Sequence, residues 1–389
     1  MHAHPEGKRE DPPDGSGPPG LPPRLRGGGA RYRAYPSLAR ARWLFPADRP
    51  AVRRAGIEGL FRPGSTKGRA LRALIRSVGL PGRDVSLRGE AVARLEAEMA
   101  GALDEPEVCV AFYLGVPGAY RKITAQVMTP KGVTLAFAKI STSPATRRLI
   151  EKEHQVLRRL AKSGGLRGRV PRVLHAFDWE GSRVLLITGG PGRTGPGRLS
   201  DAHLALHRDV FVPFARRGTF EGSGMMSRMS ETLRRVGPRL PGTLTSRLNR
   251  ALERLDGELG PVTMPLSLCH RDFAPWNTRV GPGGLFVFDW DGAQDETIPL
   301  YDLFHFQAIQ AALFGRKEVL PDRALLRRAL EDLWPEGRGH LSSLYLAYLL
   351  DMSLFYGEAR VNAPDAGEDR VWNWFCDQVA FLLESDPPC

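Results

Sequence analysis

The chain has 389 residues, 42% of them hydrophobic and 25% charged, which excludes a wholly disordered polymer and a small disulfide-held scaffold and leaves room for about two domains. Its four cysteines (Cys109, Cys269, Cys376, Cys389) stand far apart with no CxxC, so neither a structural zinc nor a dithiol redox motif is expected. The formal net charge of +12 raises the question of nucleic acid. No zinc finger, RNA-recognition signature or basic heptad segment accompanies it, and an arginine-rich background explains the excess.

Residues 1–30 are nearly half glycine and proline and carry too few apolar groups to offset their ordering entropy, so they read as a disordered tail. They contain no apolar core of a secretory signal, and no stretch of the chain matches a membrane span. With free thiols, this points to the cytoplasm. Residues 31–104 read as an arginine-rich, partly helical extension. Helices are expected over 67–78 and 88–99, the second carrying Val92, Leu95 and Met99 at helical spacing. The GSTKG of residues 64–68 lacks the spacing of a phosphate-binding P-loop, and no apolar strand leads into it.

Strands follow between 107 and 140, then a helix over 145–162 and a strand pair at 170–177 and 183–188. In TLAFAKI, period-two alternation puts Lys139 on one face with Leu135 and Phe137. On the next helix Glu153 falls within the apolar stripe of Leu149, Ile150, Val156, Leu157 and Leu160, whereas Glu151 joins Arg147 and Arg158 on the polar side. A lysine and a glutamate on apolar faces are costly if buried alone and tolerable as a pair; snorkelling to solvent is the alternative.

From residue 191 the chain reads mainly as helix, interrupted by one hairpin near 278–288. The surrounding segment is LSLCHRDFAPWNTRVGPGGLFVFDWDGAQ, residues 266–294. Asn277 comes five residues after Asp272, and Asp289 twelve after Asn277. Closure at Gly281-Pro282-Gly283-Gly284 sets Asn277 opposite Phe288 and brings Asn277 and Asp289 to the open end as diagonal neighbours. An amide and a carboxylate oxygen placed this way suit a hard cation such as Mg²⁺. Asp272, just before the hairpin, is free to accept a proton.

HRDFAPWN followed by FDWD resembles the catalytic loop and metal-binding segment of the aminoglycoside phosphotransferase and choline kinase family. The resemblance spans about residues 107–383. It implies an α+β, protein-kinase-like two-lobed fold: a small antiparallel-sheet N-lobe over 105–190 and a larger, mainly helical C-lobe over 191–389, preceded by the N-terminal extension. It also implies roles known for kinases as a class: Asp272 as catalytic base, His270 bracing the loop, Asn277 and Asp289 as metal ligands, and Lys139 fixed by Glu153 on the nucleotide phosphates. Gly115 and Gly118 form either the loop over those phosphates or a plain hairpin turn. VLLITGG, residues 184–190, corresponds to the interlobe hinge.

IPLYDL arrives within about a dozen residues of Asp289, which leaves no room for the activation segment of a protein kinase. The expected reaction is therefore transfer of the γ-phosphoryl group of a nucleoside triphosphate, ATP with GTP as the alternative, to a hydroxyl of a small acceptor, with Mg²⁺. A catalytically silent nucleotide-binding scaffold is the rival reading; a nucleic-acid partner is not expected. Asp302 corresponds to a structural aspartate bracing the loop or the next helix. Arg271 stands where the family commonly has glycine, and its role is open. The apolar helix expected over 341–356, interrupted by Asp351, reads as core. Trp372, Trp374 and Phe375 read as anchors of a terminal helix, with an aromatic cage for a quaternary amine as the alternative. The acceptor is not legible in the sequence.

Overall fold

A computed structural model describes residues 21, 23–60, 83–115, 118, 120–190, 192–316, 322–362 and 369–384. Residues 1–20 of the expected tail, the helix expected over 67–78 and GSTKG lie outside them. The chain divides into two units, residues 1–158 with 171–189 and residues 159–170 with 190–389.

Among the described residues the first unit is built on eight strands: β1 (Gly29–Tyr35), β2 (Trp43–Pro46), β3 (Asp84–Arg88), β4 (Cys109–Tyr113), β5 (Ile123–Met128), β6 (Thr134–Ile140), β7 (Val173–Trp179) and β8 (Ser182–Ile187). They form one antiparallel sheet in the order β3-β1-β2-β4-β5-β6-β8-β7. Strand β4 shows why both faces are covered. Val110 and Phe112 join a cluster with Tyr32, Leu95, Met99 and Ile123, while Cys109 and Ala111 join a second with Tyr35, Phe45, Val52 and Ile57. Alternate residues of a strand point to opposite faces, so an all-apolar strand needs cover on both sides. Helix α1 (Pro50–Leu60) supplies Val52 and Ile57 to the second cluster; helix α2 (Gly89–Leu103) supplies Val92, Leu95 and Met99 to the first. At Gly56 of α1 a Cβ would lie 2.9 Å from both Ala111 Cβ and Phe45 Cδ1, so the close approach of helix to sheet depends on glycine there.

Residues 31–104 differ from the expected extension. Their helix over 88–99 is present as α2, but β1, β2 and β3 are part of the same sheet as β4 to β8. The cause is visible in β1: Tyr32 and Ala34 are buried, while Arg31 and Arg33 point outward, and Arg33 Nε meets Asp84 Oδ1 of β3 at 2.8 Å across the ladder. The arginines on the outer face obscure the period-two pattern. Leu21 and Leu25, within the expected tail, are also buried in this unit.

Helix α3 (Pro144–Leu160) follows β6 with Ile150, Glu153, Val156, Leu157 and Leu160 buried, as its stripe requires. The second unit contains α4 (Asp201–Phe211), α5 (Gly224–Val236), α6 (Gly242–Leu259), α7 (Tyr301–Phe314), α8 (Arg323–Leu333), α9 (Leu341–Asn362) and α10 (Asp369–Glu384). Its strands are β9 (Arg193–Thr194), β10 (Arg216–Thr219), β11 (Thr263–Cys269), β12 (Thr278–Gly281), β13 (Gly284–Val287) and β14 (Gln294–Thr297), in two small sheets ordered β10-β11-β14 and β13-β12-β9.

Helix α9 is the axis of this unit: every residue from Leu344 to Leu354 is buried, and α5, α6, α7 and α10 pack on it. A helix that is apolar all round belongs in a core. No helix among the described residues is long and apolar enough to cross a membrane. Trp372 Nε1 donates to Ser353 O at 3.1 Å and Trp374 Nε1 to Arg316 O at 2.8 Å, and Phe375, next after Trp374, is fully buried. These three residues anchor α10.

Two histidines of α4 give this unit a pH dependence. His203 and His207 are buried, and burial pushes both imidazoles down to about 4. Their neutral forms are the folded forms. Stability from this source is complete above the unfolded value of 6.5 and is lost as pH falls from there through about 4. Urea midpoints measured from pH 7 to pH 4 should decline, and replacing both by Phe should flatten the decline; an unchanged slope would exclude these groups as its cause.

Candidate active site

The loop leaving β11 is shaped by one buried carboxylate. Asp302, at the start of α7, accepts the His270 N–H at 2.8 Å on Oδ2 and the Arg271 N–H at 2.9 Å on Oδ1. Two adjacent amides converge on one carboxylate because Arg271 adopts φ +70°, a region non-glycine residues enter at a cost. Charge-assisted bonds from both amides offset that cost. Asp302 thus braces this loop, as the sequence pattern suggests.

His270 is buried and locked at both ring nitrogens. Nδ1 accepts the Asp272 N–H at 3.2 Å and Nε2 lies 2.9 Å from Phe288 O. An acceptor role at Nδ1 and a donor role at Nε2 define a neutral imidazole with its proton on Nε2. Its ring packs against Trp290 with centroids 4.5 Å apart. The hairpin has the expected register: Thr278 pairs with Val287 and Gly281 with Gly284, and Phe288 N donates to Asn277 O at 3.1 Å. Only Pro282 and Gly283 remain as the turn proper.

Asn277 connects loop and hairpin. Its Nδ2 donates to Asp272 O at 2.9 Å and to Asp272 Oδ2 at 2.7 Å. Both amide protons are then engaged, and Oδ1 is the atom left to face a ligand. Asp272 keeps a side chain 48% exposed, available to a reactant. Asp289 sits at φ +74° and precedes the short turn Trp290–Gly292. One carboxylate oxygen each of Asp289 and Asp291 lies within 4.8 Å of the other. Asp291 was not among the residues expected from sequence; the repeat of aspartate two positions on, in FDWD, was the available signal. All these donors are oxygens, which fits a small hard cation.

Arg271 turns inward. Its guanidinium meets Asp351 Oδ2 at 3.1 Å and lies 4.6 Å from the Phe355 ring centroid, and the Tyr301 hydroxyl donates to the same Asp351 oxygen. Burial opposes the guanidinium charge, but the Asp351 carboxylate together with Tyr301 and Cys269 outweighs it and holds the Arg271 pKa above its usual value. Burial, then Asp351, also keeps the Tyr301 phenol protonated far past its ordinary range. The arginine that sequence left without a role therefore fixes the loop to α9. A lone aspartate in an apolar helix and a lone arginine in a buried loop were complementary signals.

In the first unit, Lys139 lies on β6 between Thr124 of β5 and Leu185 of β8. It is 6% exposed and Glu153 is fully buried; Nζ stands 2.6 Å from Oε1 and 2.5 Å from Oε2. The pair forms, and snorkelling does not occur. Gly115 and Gly118, between β4 and β5, have φ of +74° and +156°. A Cβ at Gly115 would fall 2.6 Å from Lys122 O, so that turn needs glycine, whereas Gly118 faces open space.

An antiparallel sheet with a buried lysine–glutamate pair, and a helical unit carrying a braced His-Arg-Asp loop before an Asn- and Asp-bearing hairpin, define a kinase-like phosphotransferase. The chain belongs to the phosphotransferase enzyme family, whose family model matches residues 124–340, more than half its length. Among solved structures it is similar to a choline/ethanolamine kinase family protein from Mesorhizobium loti, at 18% identity over 76% of this chain and 94% of that one, with a TM-score of 0.50. It is also similar to the GDP complex of an aminoglycoside 2'-phosphotransferase, at 13% identity over 75% and 96% of the two chains, again with a TM-score of 0.50. At these identities the likeness establishes the fold. A sequence search finds no match among curated proteins.

Proposed function

We propose that the protein is a metal-dependent kinase that transfers the γ-phosphoryl group of a nucleoside triphosphate, ATP with GTP as the alternative donor, to a hydroxyl of a small acceptor. The observation that carries this reading is the Asp272 carboxylate, fixed at 2.7 Å by Asn277 yet about half exposed. Asp272 orients the acceptor hydroxyl and takes its proton as the new O–P bond forms and the bond to the β-phosphate breaks, releasing the nucleoside diphosphate. His270, neutral and held at both nitrogens, keeps the loop in register. Lys139, directed by Glu153, takes the nucleotide phosphates, and Gly115 and Gly118 shape the turn over them. Asn277 Oδ1 and Asp289, with Asp291 beside it, would hold Mg²⁺, which when bound neutralises charge on the transferring phosphates. Positioning and charge stabilisation supply most of the acceleration.

A small acceptor fits because the segment from Asp289 to the start of α7 at Tyr301 is taken up by the Trp290–Gly292 turn and β14, with no platform for a peptide. Cys109, Cys269 and Cys376 are free and buried, in keeping with a reducing compartment such as the cytoplasm.

The test is thermal unfolding with ATP or GTP, with and without Mg²⁺, followed by a screen of amino alcohols, sugars and aminoglycosides for nucleoside diphosphate release. At a ligand concentration 100 times Kd the nucleotide should add about 2.7 kcal/mol. Asp289→Ala should remove the Mg²⁺-dependent share. Equal stabilisation without metal, or an unaltered Asp289→Ala response, overturns the metal assignment; binding without turnover across the screen favours the scaffold.

A further inference from the structure

Asp272 has a second neighbour besides Asn277. His305 lies one helical turn beyond Tyr301 on α7, on the same face, with its side chain 2% exposed. Its Nε2 stands 3.4 Å from Asp272 Oδ1, outside hydrogen-bond geometry, and makes no hydrogen bond among the described residues: it is a buried polar atom beside the carboxylate with no bond of its own. Its Nδ1 stands 3.2 Å from the hydroxyl of Tyr348, which is buried in α9. Burial holds the Tyr348 phenol protonated far above its usual range, so this hydroxyl is the donor and Nδ1 the acceptor. The proton of a neutral His305 then resides on Nε2, the ring nitrogen nearest the carboxylate.

We propose that His305 is a positioning residue for phosphoryl transfer: its Nε2–H, with the tautomer set by Tyr348, holds one oxygen of Asp272 while Asn277 holds the other. This rests on the reading of Asp272 as the proton acceptor. One donor on each oxygen stops the carboxylate from rotating and leaves a lone pair on each for the acceptor hydroxyl. At 3.4 Å the bond is not yet made, and the proposal has it close when the acceptor is seated, as catalytic hydrogen bonds tighten in the reactant complex. Helix α9 therefore reaches the loop twice from neighbouring positions, through Asp351 to Arg271 and through Tyr348 and His305 to Asp272.

Two measurements on the full chain test this. The first is independent of turnover: ring-nitrogen NMR of ¹⁵N-histidine protein, with the His305 signals assigned by their loss in His305→Gln. The expected state is the Nε2–H tautomer, with Nε2 shifting in Asp272→Asn and Nδ1 in Tyr348→Phe. An Nδ1–H tautomer, or signals indifferent to both substitutions, overturns the proposal. The second is kinetic, using the best acceptor from the screen or water as acceptor with ATP. His305→Ala should lower kcat about 10- to 100-fold, with KM for ATP held within about twofold. His305→Gln, which retains an N–H donor, should recover part of the loss. Equal losses in both variants that track melting temperature would show a packing role only and overturn it. A wild-type protein with the NMR signatures but no turnover under any condition would refute the kinase reading, and the role with it, while leaving the contact intact.

Discussion

Asp272→Asn is expected to lower turnover about 10²- to 10⁴-fold, the usual range for removing a general base, while nucleotide binding persists. An amide has no capacity to take the acceptor proton, yet its carbonyl oxygen can still receive Asn277 Nδ2, which now lies 2.7 Å from Asp272 Oδ2. The side chain is about half exposed, so the folded state should change by no more than about 0.5 kcal/mol. Melting temperature, Mg²⁺-dependent nucleotide stabilisation and turnover must therefore be measured on the same preparation. Turnover near wild type would remove Asp272 from the chemistry. Loss of folding together with activity would make it a structural residue.

Glu153→Ala should cost about 3–5 kcal/mol of stability, the range for removing one member of a buried ion pair. Lys139 is 6% exposed and stands on an inner strand, so water does little to replace the carboxylate. The informative control is the double substitution Lys139→Met with Glu153→Leu. Removing both charges should restore most of the lost stability, since an apolar pair of similar volume is often neutral or better in such a position. Nucleotide stabilisation should stay absent in the double variant. Chemical denaturation of the three proteins separates the roles: a double variant that folds well and still binds nucleotide normally would show that the pair serves the fold alone.

Many of the candidate residues in both units were legible because they break local rules. Lys139 and Glu153 each interrupt an apolar face, and that double exception located a pair which the fold then assembles from β6 and α3. The hairpin register followed from two arms of equal length around one glycine-rich turn, which fixed Asn277 opposite Phe288. Other features depend on where distant segments meet. His305 is five residues from Leu300 in sequence but matters only because α7 begins at Asp302's brace on the loop. Tyr348 and Asp351 read as core because an apolar helix offers no sign of which residue it brings them against. In β1 the opposite difficulty arose: outward arginines outweighed an alternation that was present in Ala30, Tyr32 and Ala34.

The sheet order has a bearing on how the protein can be divided. The family match opens at residue 124, within β5, whereas β4 pairs with β5 from Cys109–Met128 to Tyr113–Thr124, and β1 to β3 lie beyond it. Excision at that border would bare an unpaired ladder edge and strip Val110 and Phe112 from one core and Cys109 and Ala111 from the other. Such a fragment should precipitate on expression, whereas a cut just ahead of residue 21 spares every strand among the described residues. Recombinant work on the enzyme therefore has to retain the arginine-rich leader as part of the folding unit, even though the recognisable kinase signature starts a hundred residues later.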